Sequence, residues 1–172
     1  KDQSLVLMTH HQNIANKIKS LPELLHALKI ERENGKSIVF TNGCFDILHK
    51  GHVDYLAKAA DKGDVLVVAV NADESVRRLG KSPSRPIQDQ DARAYLIAAL
   101  QSVAYVFLFF EDTPKEVIDQ IIPNVLVKGS DYIAEDIVGY DTVTKNGGKV
   151  ETIDFIPGYS TSGIEKKIIA SL

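Results

Sequence analysis

The sequence predicts an α/β protein: a Rossmann-like three-layer α/β/α sandwich with a five-stranded parallel sheet. Short apolar runs alternate along the chain with longer segments that have helical character. The clearest run, 65–70, is apolar throughout and mostly β-branched, which is typical of a strand covered on both faces. Strands that alternate with helices form right-handed crossovers, and these place helices on both sides of a parallel sheet.

The elements follow one another in a regular order. The first helix is expected over 20–34, because Ser20 can cap it, Pro22 is tolerated in its first turn and Gly35 ends it. The five strands are predicted at 37–41, 65–70, 105–109, 124–127 and 150–153. The later helices are predicted at 48–61, 72–79 with Asn71 as the cap, 89–100, 113–122 with a capping box at Thr113, and from 160 onward.

Composition limits the classes of protein that fit. The chain has 172 residues, enough for one domain with a full core; we expect an N-terminal extension and helix over 1–35 and a main domain over 36–172. A net charge of −3 gives no basic field for nucleic acid or for an anionic membrane. The single cysteine, Cys44, excludes an internal disulfide. The longest apolar run, Val103–Phe110, is too short to span a bilayer, and no secretory signal is evident, so we expect a cytoplasmic protein.

A pair of histidines follows the first predicted strand. His49 and His52 are three residues apart at the start of a helix, which places them on one face. A helix N-terminus offers free N–H groups and partial positive charge to a phosphate. Gly51 adds no side chain between the imidazoles, and Gly43 lets the backbone approach a ligand closely. The segment therefore predicts a polyphosphate site.

Two other interpretations also fit the residue types of this segment. The two histidines could form a polar surface pair, or they could hold zinc together with Cys44. Their position directly after a strand favours the phosphate role, because ligands bind at the carboxyl ends of parallel strands. A dinucleotide-binding glycine motif is missing, and the P-loop spacing fails because Ser75 stands where a glycine is required.

Polar residues also follow the other predicted strands. Asn71 and Asp73 come after the second strand, and four cations follow them: Arg77, Arg78, Lys81 and Arg85. This stretch is either a solvated surface or a lid that carries positive charge, with Lys81 as the best candidate to reach a phosphate. Arg93, on the next helix, could serve packing or a subunit contact.

Two further segments fit a nucleotide site. Lys128, Gly129 and Asp131 follow the fourth strand, where they form either an ordinary polar loop or the edge of a nucleotide site. The hydroxyls of 160–162 open the last helix; they can act as simple caps or can bind a terminal phosphate.

The sequence resembles the nucleotidyltransferase superfamily with the His-x-Gly-His motif, specifically its cytidylyltransferase-like group, over about 37–169. Within that group it is most similar to the adenylyltransferase domain of bacterial ADP-heptose synthases. The shared segments are Thr41–Asp46, Arg85-Pro86, Glu111–Pro114, Val127–Gly129, Asp131-Tyr132 and Gly147-Gly148. Lys50, Ser130 and Glu165 depart from the usual pattern.

The resemblance implies transfer of AMP from ATP to D-glycero-D-manno-heptose 1-phosphate, with Mg²⁺ and a homodimer. In many bacteria this domain is fused behind a sugar kinase; 172 residues leave no room for that kinase, so we expect a separate sugar kinase in the same pathway. The resemblance assigns residues 36–172 to the nucleotidyltransferase domain. The expected catalytic residues are His49, His52 and Lys81. The expected nucleotide contacts are Thr41, Asn42, Gly43, Cys44, Phe45, Gly51, Lys128, Gly129, Asp131, Ser160, Thr161 and Ser162. The expected contacts to the sugar phosphate are Asp46, Asn71, Asp73, Arg85 and Arg93, and no residue is assigned to a metal.

Three alternatives stay open from the sequence. The first is another transferase of the same fold, such as a glycerol 3-phosphate cytidylyltransferase, which a comparison of CTP with ATP would separate. The second is a nucleotide-binding module without turnover. The third is a regulatory protein that binds a metal through Cys44 and the histidine pair.

Overall fold

The computed structural model describes residues 8–80 and 82–172 and shows a six-stranded, fully parallel sheet. Its strands are β1 (Ile18–Lys19), β2 (Ile38–Gly43), β3 (Val65–Asn71), β4 (Tyr105–Phe109), β5 (Val125–Gly129) and β6 (Lys149–Ile153). The α/β sandwich is confirmed, but the predicted strand number was too small by one. The additional strand, β1, is two residues long and pairs with β4 at the edge of the sheet, too short for a hydrophobic pattern to indicate it.

Helices cover both faces of the sheet. They are α1 (His10–Lys17), α2 (Leu21–Glu33), α3 (Lys50–Ala60), α4 (Asp73–Arg78), α5 (Gln90–Ala98), α6 (Lys115–Ile121), α7 (Tyr140–Lys145) and α8 (Thr161–Ala170), with a 3₁₀ turn at Ala134–Asp136. Helix α1 was not predicted, because it buries none of its residues and so carries no apolar stripe.

The predicted caps of two helices were wrong. The N-cap position of α4 is Ala72, and the side chain of Asn71 instead donates to Ser75 Oγ at 2.9 Å. The N-cap position of α6 is Pro114, without a side-chain cap bond, so Thr113 does not start a capping box. Both polar side chains lie near the carboxyl end of a strand and do not cap the start of the helix that follows.

The strand order, β1-β4-β3-β2-β5-β6, determines where a ligand can bind. The chain runs outward from β2 through β3 to β4, then crosses to the other side of β2 to form β5 and β6. Strand order thus reverses between β2 and β5, whose register pairs Val39 with Val125. In open α/β sheets the crevice beyond the carboxyl ends of such strands is the usual ligand site.

Two apolar clusters hold the layers together, one on each face of the sheet. Alternate residues of β3 point to opposite sides, with Leu66 and Val68 in one cluster and Val65 and Val67 in the other. The first cluster includes residues of α3 and α5. The second includes residues of α2 and α6, so the helix expected in the N-terminal extension packs into the same core.

Candidate active site

A cavity of about 450 Å³ opens at the carboxyl ends of the central strands, where the strand order predicts a ligand. Many residues singled out in the sequence meet there. The predicted residues that line it are Asn42, Gly43, Cys44, Phe45, Asp46, His52, Asn71, Arg85, Lys128, Gly129, Asp131 and Thr161. Predicted site residues outside the lining are Thr41, His49, Gly51, Asp73, Arg93, Ser160 and Ser162. Lys81 lies outside the described residues.

The two imidazoles lie together at the start of α3. Their ring centroids are 3.7 Å apart and their planes differ by 17°. His49 is the N-cap of the helix, and its Nδ1 accepts a hydrogen bond from the backbone N–H of His52 at 3.3 Å. Burial lowers the pKa of His49, so the ring is neutral at pH 7. Because Nδ1 is the acceptor, the proton of the neutral ring lies on Nε2, which can donate to a ligand.

Gly51 makes room for this stacked pair. A Cβ at position 51 would lie 3.1 Å from the His49 ring and 3.1 Å from the Cβ of Tyr159. A side chain at position 51 would therefore press on the capping imidazole. This gives a physical reason for the absence of a side chain between the two histidines, which was noted from the sequence.

The loop between β2 and α3 brings its side chains inward through unusual backbone angles. Phe45 and Ile47 both have positive φ, 50° and 55°. The Phe45 ring packs edge-on against His52, with centroids 5.4 Å apart, and lies 3.0 Å from where a Cβ on Gly43 would be. Gly43 thus leaves space for the aromatic ring that supports His52.

Arg93 supports the same loop from beneath. It is fully buried, and its guanidinium donates to the carbonyl oxygen of Cys44 at 2.7 Å, to the carbonyl oxygen of Gln88 at 3.0 Å and to Asp73 Oδ1 at 2.7 Å. The sequence placed Arg93 and Asp73 at the sugar phosphate. The structure instead pairs them with each other below the cavity, where Arg93 positions the loop.

Thr41 is also used within the protein. Its hydroxyl is completely buried and lies 2.9 Å from the hydroxyl of Tyr55, so it is placed beneath the cavity rather than among the expected nucleotide contacts. Burial raises the pKa of Tyr55 to about 12, which keeps that phenol protonated. Sequence reasoning missed Tyr55, although its spacing of three from His52 on α3 places it on the same helix face.

The carboxyl end of β5 forms the opposite wall. A Cβ at Gly129 would lie only 2.2 Å from Cε2 of Phe155, so the Phe155 ring packs directly on the glycine backbone. The ring is also 5.3 Å from that of Tyr55. Lys128 Nζ contacts the carbonyl oxygen of Asn42 at 3.4 Å and lies 5.8 Å from the centre of the Tyr132 ring.

Two of the three hydroxyls at the start of α8 make hydrogen bonds within the protein. Ser160 is the N-cap and accepts from the N–H of Gly163 at 3.0 Å. Thr161 donates to the carbonyl oxygen of Asp46 and lines the cavity. Ser162 is exposed.

The cavity has further lining residues that the sequence did not identify as site residues. They are Tyr55, Leu79, Asp112, Thr113, Pro114, Tyr132, Asp136, Ile137, Val138 and Phe155. Asp112 and Thr113 follow the carboxyl end of β4, so the rule that located the other residues could have identified them. Phe155 has no comparable signal, because a single aromatic in a loop does not show what it covers.

The described residues form neither a metal-binding cluster nor a membrane-spanning helix. Between 8 and 80 and between 82 and 172, no three His, Cys, Asp or Glu side chains come close enough to hold a metal ion. Within the same ranges, every helix is too short or too polar to cross a membrane.

The cytidylyltransferase-like family model matches residues 40–166, which include the histidine pair and the start of α8. The chain belongs to the cytidylyltransferase-like family. This confirms the resemblance found in the sequence.

Relatives of this cytidylyltransferase-like chain include the bifunctional protein HldE of Citrifermentans bemidjiense, 53% identical over 156 residues that make up 91% of this chain and 32% of the relative. The bifunctional protein HldE of Syntrophotalea carbinolica is 50% identical over 163 residues, or 94% of this chain and 33% of the relative. The chain thus spans about a third of the length of the curated relatives it matches.

Two solved structures share the fold of this chain. The lipopolysaccharide core biosynthesis protein of Thermoplasma volcanium superposes with a TM-score of 0.58 at 30% identity, covering 71% of this chain and 98% of that protein. The pantoate-beta-alanine ligase of Francisella tularensis superposes with a TM-score of 0.56, covering 90% of this chain and 78% of that protein. Its identity of 15% shows a shared fold only.

Proposed function

We propose that this chain transfers AMP from ATP to a sugar 1-phosphate, D-glycero-D-manno-heptose 1-phosphate, and releases pyrophosphate. The observation that carries the proposal is the stacked pair of imidazoles at the N-terminus of α3, at the point where strand order reverses. The identity of about half to proteins named HldE over nearly the whole chain supports the heptose as acceptor.

The reaction is an in-line displacement at the α-phosphorus of ATP. An oxygen of the sugar phosphate forms a bond to that phosphorus, and the bond from the phosphorus to the bridging oxygen of the β-phosphate breaks. The attacking phosphate is already ionised near neutral pH, so no general base is needed. Catalysis then depends on positioning and on stabilisation of charge.

The histidine pair supplies that stabilisation. His52 lines the cavity, and neutral His49 has its Nε2 proton available, so the pair can donate to phosphate oxygens as negative charge develops on them. The N-terminus of α3, which His49 caps, adds the partial positive charge of the helix. We assign the same task to Lys81, on the basis of its position in the sequence.

The remaining cavity residues hold the two substrates. The amide oxygen of Asn42 is buried and accepts no hydrogen bond from the described residues, so it suits a donor on the nucleotide. Lys128, Gly129 and Asp131 form the wall that we assign to the base. We assign Asn71 and Asp112, which both line the cavity, to the hydroxyls of the sugar.

Magnesium fits this reaction as a companion of ATP. Mg²⁺ is usually held by substrate phosphates, with only one or two protein carboxylates. The carboxylates of the cavity do not converge into a metal-binding group among the described residues, and both oxygens of Asp46 already accept backbone N–H groups. The phosphates would therefore provide most of its ligands.

We propose that a sugar kinase reaction supplies the sugar 1-phosphate. Both substrates are metabolites of the cytoplasm, where we expect this chain to work. We also propose a homodimer, which light scattering on the purified protein would test.

The decisive experiment pairs each nucleoside triphosphate with a panel of sugar 1-phosphates and with glycerol 3-phosphate, in the presence of Mg²⁺. We expect pyrophosphate only with ATP and the heptose phosphate, and ATP labelled on the α-phosphorus should transfer its label to the sugar. Turnover with CTP and glycerol 3-phosphate would favour the alternative transferase. Nucleotide binding without turnover would favour a binding module.

A further inference from the structure

Three segments that are far apart in the sequence meet at the edge of the cavity. They are the loop after β2 with Asp46, the loop 85–88 before α5, and the first turns of α8 with Thr161 and Glu165. No motif in the sequence assigns a task to Glu165. Its contacts show that it joins two of these segments.

Arg85 and Glu165 form a two-pronged ion pair. Arg85 Nη2 donates to Glu165 Oε2 at 2.8 Å, and Arg85 Nε donates to Glu165 Oε1 at 3.2 Å. The Arg85 side chain is only 9% exposed and that of Glu165 is 23% exposed. The hydrogen bond that Arg85 donates to Glu165 raises the pKa of Arg85, so its guanidinium stays charged. Paired, charge-assisted bonds of this kind fix orientation as well as distance.

Asp46 closes these contacts into a ring. Its Oδ2 accepts from the N–H of Ile87 at 2.8 Å, and its Oδ1 accepts from the N–H of Gln88 at 2.9 Å. Its carbonyl oxygen accepts from the hydroxyl of Thr161 on α8. The ring therefore runs from α8 through Asp46 to the loop 85–88, and returns to α8 through Arg85 and Glu165.

The charges show what Arg85 does in this ring. Its guanidinium lies between two carboxylates, with Nη1 3.5 Å from Asp46 Oδ2, so the local sum of charge is negative. Such a group does not attract a phosphate as a free cation would. Arg85 was expected at the sugar phosphate and does line the cavity; its contacts point to a further task, holding the loop and the helix together.

Helix α8 depends on these contacts at its first turns. Its second half is exposed, with Ile168 at 54% and Ile169 at 71%. The ion pair and the Thr161 bond lie at the other end, next to the hydroxyls of 160–162.

We propose that Glu165 and Arg85 are positioning residues that fix the N-terminus of α8, and with it the hydroxyls of 160–162, against the cavity. The pair works as a unit, because loss of either partner opens the same ring. The catalytic part of this inference rests on the proposed function, whereas the structural part does not.

Hydrogen exchange tests the structural part on the whole chain. Glu165→Gln, Arg85→Gln and the double variant should each raise amide exchange in the first turns of α8 by about tenfold, the effect of losing a charge-assisted bond. The double variant should exchange no faster than either single variant. Exchange in β2 and β3 should not change. Glu116→Gln removes the same charge from an exposed position on α6 and should leave α8 as it is.

Kinetics tests the catalytic part with the same four variants. We expect KM for ATP to rise about tenfold in both single variants and in the double variant, with kcat falling less and Glu116→Gln matching the wild type. Unchanged exchange in α8, or losses that multiply in the double variant, would overturn the proposal. A wild-type protein that releases no pyrophosphate would overturn the proposed function, while the exchange data would still decide the role of the pair.

Discussion

The two walls of the cavity are built differently. The histidine side, residues 43–52, is braced by buried polar groups. Arg93, which is 0% exposed, supports it from below, and Asp46, which lies within it, is 2% exposed. The glycine side, residues 128–132 with Phe155, has rings that are half open to solvent, with Phe155 at 48% and Tyr132 at 52% exposed. The braced wall suits the phosphates, whose geometry is the same for every substrate. The open wall suits recognition of a base, where rings can adjust.

This contrast predicts that the largest loss of stability comes from Arg93. Arg93→Met keeps most of the volume but leaves Asp73 and the carbonyl oxygens of Cys44 and Gln88 without their donor. Removing one partner of a buried ion pair typically costs about 3–5 kcal/mol. Urea denaturation should show a loss of that size. Arg78→Gln breaks an exposed pair with Asp112 and should cost about 0–1 kcal/mol. Equal losses in the two variants would contradict the contrast.

The histidine pair should have the next largest effect, on turnover rather than on folding. His49→Ala and His52→Ala should each lower kcat by about 10²–10³, which corresponds to ~2.7–4 kcal/mol of transition-state stabilisation. Circular dichroism should show that both variants fold. His26→Ala, at an exposed position on α2, serves as the control and should turn over like the wild type. Wild-type turnover in either site variant would remove the pair from the mechanism.

The glycine side should respond to added volume with a smaller cost. Gly129→Ala places a methyl group 2.2 Å from the Phe155 ring, and overpacking of this kind costs about 1–3 kcal/mol. The ring is half exposed and can move outward, so we expect the lower part of that range in thermal unfolding. Adding Phe155→Ala should remove the clash with the ring and recover most of the loss that Gly129→Ala causes relative to Phe155→Ala alone. The other close atom, Asp131 Oδ1 at 2.6 Å, belongs to an exposed side chain that can turn aside. A double variant that keeps the full penalty would show that Asp131, rather than Phe155, sets the cost of the methyl group.

The smallest effect concerns pH on the histidine side. Burial holds the pKa of His49 below the value of about 6.5 found in unfolded chains, so the folded state takes up a proton less readily. The stability from this group is complete above about pH 6.5 and is lost as the pH falls through the folded pKa. His49→Asn keeps a capping side chain but cannot titrate, so its stability should fall less between pH 7.5 and 5.5 in urea titrations. Identical slopes for variant and wild type would contradict a neutral His49.

Much of the fold could be predicted because its signals are local. The run 65–70 is apolar at every position, and a strand there is covered on both faces whatever its neighbours are. Edge strand β1 could not be predicted, since two residues form no pattern and their place depends on β4, far along the chain. The caps at Asn71 and Thr113 were misjudged because a polar residue before a helix looks the same whether it faces the helix or the cavity.

The site was predictable where position in the chain fixes position in space. Residues at or just after the end of a parallel strand lie at its carboxyl edge, which brought Asp46, Asn71 and Lys128 to the cavity. Arg93 followed no such rule. Arginine is mostly exposed in proteins, and its partners Cys44 and Asp73 are 49 and 20 residues away, so only the tertiary structure shows that it is buried.

The hydrogen bond from Thr161 to Asp46 joins residues that are 115 positions apart, so it can form only late in synthesis. Ribosomes add about 5–20 residues per second, so His49 and His52 are synthesised several seconds before Thr161 and Glu165. During that interval the central strands can fold, but the contacts of α8 with Asp46 and Arg85 are still missing. A nascent chain should therefore bind nucleotide only late, when these last contacts can form.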